Sequence, residues 1–145
     1  MKVGTETFSV SFPRAKLPTK QRPRVTKRGT AYTPKATKEW QEQIRQAFLS
    51  EAKHDWRAFT GEVRCSIAIE RPLSRSAPKR LIGTADLMAP DVDNLSKAFL
   101  DALNGTAYAD DRQVTALTVF RARRGRYRPM ATVTVQLDYF KEEEE

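Results

Sequence analysis

Phe8, Val10 and Phe12 alternate with Thr7, Ser9 and Ser11, a two-residue period that predicts a first strand ended by Pro13. Residues 13–33 lose that pattern and hold Pro18, Pro23 and Gly29, which predicts a long loop. Thr33 followed by Pro34 predicts a helix start, with Thr as N-cap and Pro in the first helical position. From there Trp40, Ile44 and Phe48, spaced by four, predict an amphipathic helix reaching about Ala52. Val63, Cys65, Ile67 and Ile69 alternate within Glu62 to Glu70 and predict a second strand. A polar connection, Arg71 to Ala89, carries Pro72, Pro78 and Gly83. The next helix is predicted from about Asp93 to Asn104, with Leu95, Ala98, Phe99, Ala102 and Leu103 facing inward and Gly105 as its stop. Gln113 to Arg123 and Met130 to Phe140 predict two further strands, expected as a hairpin around Gly125.

The order strand, helix, strand, helix, strand, strand predicts a single α+β domain. Its sheet is expected to be mixed and largely antiparallel, with the two main helices packed on one face. A chain of 145 residues with 39% hydrophobic content is long enough for one such core. The domain is expected over 1–140, with residues 141–145 (KEEEE) as an acidic disordered tail. No run approaches the ~18 consecutive apolar residues of a membrane span, and no secretory signal pattern opens the chain, so a cytoplasmic location is expected. A lone cysteine, Cys65, forms no internal disulfide, and its place in an alternating apolar run reads as core. His54 is the only histidine, which makes histidine-based zinc sites and Ser/His/Asp or Cys/His systems poor candidates.

Charge changes the picture. The formal net charge is +8, and it is concentrated. Nine basic residues and no acid lie between Arg14 and Lys38, and Arg121, Arg123, Arg124, Arg126 and Arg128 form a second cluster. One cluster alone is equally well a solvated surface; two, with prolines breaking any continuous basic helix, favour a polyanion partner bound through counterion release.

Against that background the carboxylates of PDVDNLSKAFLDALNG (90–105) stand out, as do Asp110 and Asp111. Asp93 has an ordinary reading as an N-cap, and Asp91 has the same reading in a neighbouring register. Asp93, Lys97 and Asp101, spaced by four, also suit a salt-bridge ladder. The chemical reading rests on the combination. Asp91 and Asp93 at a helix start, with Asp111 returning toward them if the next strand lies beside that start, would repel one another unless they shared a cation. Oxygen-only ligands favour Mg²⁺ or Mn²⁺, and such a site suits phosphodiester hydrolysis, with Lys97 as a fixed positive charge near the phosphate.

PDVDNLSKAFLDALNG followed by TAYADDRQV resembles the signature of the RusA family of Holliday junction resolvases, and RPRVTKRGTAYTP resembles that family's basic segment. The resemblance spans most of the chain and implies a homodimeric, Mg²⁺-dependent endonuclease that nicks four-way DNA junctions symmetrically. It implies Asp91, Asp93 and Asp111 as metal ligands and Lys97 as the catalytic lysine. Asp110 is the less secure member of its pair, Asp101 reads as structural support, and Asn94 as a cap or an orienting neighbour. Lys20, Arg22, Arg24, Lys27 and Arg28 are expected to contact DNA phosphates. Tyr32 and Tyr108 are candidates for base stacking and equally for packed aromatics. Two other readings stand beside this one: a non-catalytic DNA-binding module whose acids only cap, and a metal-dependent nuclease acting on flaps or single strands.

Overall fold

A computed structural model describes residues 1–19, 24–32 and 34–143. Strand β1 (Lys2–Pro13) is followed along the chain by a small hairpin of two-residue strands, β2 (Arg24–Val25) and β3 (Ala31–Tyr32), and by helix α1 (Lys35–Glu51). Strand β4 (Glu62–Glu70), helix α2 (Val92–Leu103) and strands β5 (Val114–Arg121) and β6 (Met130–Phe140) follow. The predicted first strand is thus longer than its alternating core. Pro34 stands as the N-cap residue of α1, so the cap falls one position later than the expected Thr33, and it makes no side-chain cap bond. Thr33 falls outside the described residues.

The four long strands form one mixed sheet in the order β1-β6-β4-β5. β6 runs antiparallel to both β1 and β4, while β5 runs parallel to β4. The predicted β5–β6 hairpin is therefore wrong. Burial explains the order: Val133, Val135 and Leu137 of β6 are fully buried, which suits a central strand. β5 leaves Thr115 to Thr118 exposed, which suits an edge. The helix between β4 and β5 supplies the crossover that parallel neighbours require.

One sheet face carries the core. Phe8, Val10 and Phe12 of β1, Val63, Cys65, Ile67 and Ile69 of β4, and the inward residues of β6 meet Ile44 and Phe48 of α1 and Leu95, Phe99, Ala102 and Leu103 of α2. All five residues expected to face inward on α2 are buried. Burial pushes the Cys65 thiol up to about 12, in keeping with a packing role. The other face is hydroxyl-rich and open, with Ser9 on Thr134 at 3.0 Å and Thr5 donating to Asp138 at 2.7 Å.

Register then decides what each end of the sheet carries. Pro13 faces Met130, Glu70 faces Thr132 and Ile69 faces Arg121, so the ends of β1, β4 and β5 and the start of β6 share one edge of the domain. Arg121 Nη1 donates to the Pro90 carbonyl at 3.1 Å, which brings the start of α2 to that same end. At the opposite end Val63 faces Val114 and Glu62 faces Phe140.

Candidate active site and nucleic-acid interface

Asp91 is the N-cap of α2, its Oδ1 accepting the Asn94 N–H at 2.8 Å. The sequence reading favoured Asp93 for that role; Asp93 instead lies in the first turn, exposed, with Oδ2 3.1 Å from Lys97 Nζ. A carboxylate in the first turn is stabilised by the unpaired N–H groups of the helix start. Asp91, Asp93, Asn94 and Lys97 therefore gather at one helix terminus, beside a cleft of about 520 Å³ lined in part by Thr19, Met88, Pro90, Asp91, Asn94 and Arg121.

Asp111 does not join them within the chain. It opens a short 3₁₀ turn, Asp111–Gln113, directly before β5. Tyr108, three residues earlier, donates its hydroxyl to the Leu100 carbonyl at 2.7 Å, on the second half of α2. Because β5 begins beside the C-terminal half of α2, the condition under which Asp111 would return to the helix start is not met. Twelve-residue α2, about 18 Å long at 1.5 Å per residue, runs between the two ends. Among the described residues no three His, Cys, Asp or Glu side chains are grouped to hold one metal ion.

Within the 110–111 pair, Asp110 is committed to local structure. Its carboxylate accepts the Arg112 N–H at 2.9 Å and its own N–H donates to Gln113 Oε1 at 2.8 Å, a reciprocal capping box. The Arg112 backbone N–H holds the Asp110 carboxyl below its usual range. Asp111 is the exposed member. Sequence reasoning gave Gln113 no task, yet its amide also donates to the Phe59 and Gly61 carbonyls at 2.7 and 2.8 Å, tying the turn to the start of β4. The sequence carries no signal for a tie between residues 52 and 54 positions apart.

Arg14 and the arginine-rich 122–129 loop share the Asp91 end. The 122–129 loop is bonded to the β4–α2 connection through Leu73 N–H to Gly125 O at 3.1 Å and Gly83 N–H to Arg124 O at 2.7 Å. Tyr127 has two guanidiniums against its ring, Arg75 4.9 Å and Arg14 5.6 Å from its centre. Of the residues expected to touch DNA, Lys27 and Arg28 are exposed in the turn of the β2–β3 hairpin, and Arg24 lies in β2. Lys20 and Arg22 fall outside the described residues. Tyr32 is exposed on β3, whereas Tyr108 is fully buried and is not a stacking platform.

The donors at the helix start are all oxygen, which suits a hard divalent cation. Mg²⁺ is commonly held by one or two carboxylates with waters and substrate phosphates, so Asp91 and Asp93 fit part of such a site. One chain does not bring the third carboxylate.

Exposed carboxylates at a helix terminus, set among arginines at one end of a small α+β domain, suit an enzyme acting on DNA, and the family match gives that class. The chain matches the model of the endodeoxyribonuclease RusA family over residues 16–136 of 145, and it belongs to that family. Membership implies a Holliday junction endodeoxyribonuclease. No curated protein sequence matches the chain significantly. Among the described residues no helix is long and apolar enough to cross a membrane.

Proposed function

We propose that this protein is a homodimeric, Mg²⁺-dependent resolvase that cuts four-way DNA junctions by paired symmetric nicks, serving DNA recombination and repair in the cytoplasm of a bacterium or phage-infected cell. The observation that carries this is the gathering of Asp91, Asp93 and Lys97 at the same end of the sheet as the arginine-rich loops. Phosphate contacts by Lys20, Arg22, Arg24, Lys27 and Arg28 would hold a DNA strand for the carboxylates to act on.

Asp91 and Asp93 would hold the cation, with Asn94 ordering the helix start around them. A bound Mg²⁺, or Mn²⁺ in its place, would supply Lewis-acid polarisation of the phosphoryl oxygen, a lowered pKa for the attacking water and charge offset at the leaving oxygen. Lys97, one helical turn on and held by Asp93, supplies a fixed positive charge beside the phosphate.

Asp111 completes this site from a second copy. A two-fold axis across the middle of α2 and β5 sets the start of one α2 against the end of the other, bringing each Asp111 toward the other chain's Asp91 and Asp93. The β5 edge supports such pairing. Its stretch Thr115 to Phe120 holds no charge, and Leu117 and Phe120 are exposed, the kind of unguarded edge that associates. Two equivalent sites then face the two equivalent strands of a junction.

The test compares a synthetic four-way junction, a linear duplex and a flap, each with Mg²⁺ and with EDTA. Paired metal-dependent nicks confined to the junction are expected. Cutting of flaps alone would give the same site a different substrate, and binding without cutting in Mg²⁺ or Mn²⁺ would leave a DNA-binding module.

A further inference from the structure

Beneath the Asp91 cleft lie three charged side chains that the chemistry above does not use. Arg71 follows β4, Arg121 closes β5, and Asp86 stands in the connection between β4 and α2; their side chains are 7%, 15% and 2% exposed. Asp86 Oδ2 is 3.3 Å from Arg71 Nε and 3.0 Å from Arg121 Nη2, and its Oδ1 accepts the Met88 N–H at 3.1 Å. The guanidiniums then reach three successive carbonyls. Arg121 Nη2 donates to Met88 O at 2.7 Å, Arg71 Nη1 to Ala89 O at 2.8 Å and Arg121 Nη1 to Pro90 O at 3.1 Å. The next residue is Asp91, whose carboxylate is fixed from the other side by the Asn94 N–H.

Stability alone is a poor reason for this cluster. Two cations and one anion stand together largely out of water, and among the described residues Arg71 Nε, Arg71 Nη2, Arg121 Nε and Asp86 Oδ2 have no hydrogen-bond partner. Apolar side chains of similar volume generally stabilise a core at least as well as such a group. What the cluster does supply is position: every carbonyl from Met88 to Pro90 is tied to a rigid strand end.

We propose that Arg71, Asp86 and Arg121 are positioning residues that hold the 88–90 backbone so that the Asp91 carboxylate is preset for its cation. The inference rests on the reading of Asp91 as a metal ligand. A site whose ligands are held by a supporting shell loses on the order of 10- to 100-fold in metal affinity or activity when that shell is removed.

The test uses Arg121→Lys, which keeps the charge and loses the fork, and Asp86→Asn as a second variant should the first fold poorly. Amide exchange is followed on the metal-free protein, and nicking and junction binding are measured beside it. Exchange at Asn94 should accelerate about tenfold or more while the central strand β6 keeps wild-type protection. Junction affinity in EDTA should stay within about twofold, while kcat falls and half-saturating Mg²⁺ rises about tenfold. Unchanged exchange at Asn94 with an unchanged Mg²⁺ requirement overturns the proposal. So does acceleration spread equally over β6, which would make the cluster a matter of global stability. A wild-type protein that leaves junctions uncut counts against the function itself; a wild type that cuts, matched by both variants, counts against the clamp alone.

Discussion

Mixing two inactive variants, Asp91→Asn and Asp111→Asn, tests whether a catalytic site is shared between chains. Carboxylate oxygens bind Mg²⁺ at about 2.1 Å, whereas the 12-residue α2 is about 18 Å long and separates the two ends of the protomer. If the site is shared, a mixed dimer has one site with both changes and one with neither. If each chain serves its own site, both sites of the mixed dimer are damaged. Random exchange of equal amounts makes about half of the dimers mixed, so about a quarter of all sites are intact in the shared case. The assay is single-turnover nicking of a junction after the variants are exchanged, with chain exchange verified by co-purification through a tag on one of them. Activity near a quarter of wild type, as single unpaired nicks, is expected. No nicking from a mixture whose exchange is proven would refute the shared site.

Other outcomes follow from single contacts. Asp91→Asn should abolish nicking and spare junction binding in EDTA, because Asn caps a helix about as well as Asp; Asp91→Ala should in addition cost about 1 kcal/mol of stability in denaturant titration. Gln113→Leu removes the amide that donates to the Phe59 and Gly61 carbonyls and accepts the Asp110 N–H; Phe59 keeps the Ala109 N–H, and the remaining loss should cost about 1–3 kcal/mol, read as a lower urea midpoint. A Cβ on Gly61 would lie 2.5 Å from the Phe140 carbonyl and 2.8 Å from the Phe59 ring, so Gly61→Ala should lose about 1–3 kcal/mol by overpacking. Asp138 is held below its ordinary value of 3.8 despite burial, through Thr5, Lys2 and Gln136. Its contribution is therefore complete above that value and lost as pH falls through the lower folded one; Asp138→Asn should flatten acid unfolding below about pH 4, and an unchanged acid limb would count against it.

Much of this protein is legible along the chain, because the periods of two and of about 3.6 are local properties of backbone geometry. The alternation of Val63 to Ile69 located β4, and the inward stripe of α2 was readable residue by residue. The clustering of acids in a basic chain likewise marked Asp91, Asp93 and Lys97. The N-cap came out two residues off because Asp91 and Asp93 both suit a cap, and only backbone geometry chooses between them.

Tertiary structure decided the rest. Nothing local tells that β6 slips between β1 and β4, since strand order depends on which strand can be buried most completely. That order sends β5 parallel to β4 and starts it beside the far half of α2, so it is topology that parts Asp111 from Asp91. Residue types and spacing determined the chemistry available to the chain, while the pairing of distant strands determined which of those groups stand together, because contacts across 50 or more positions leave no periodic trace in the sequence.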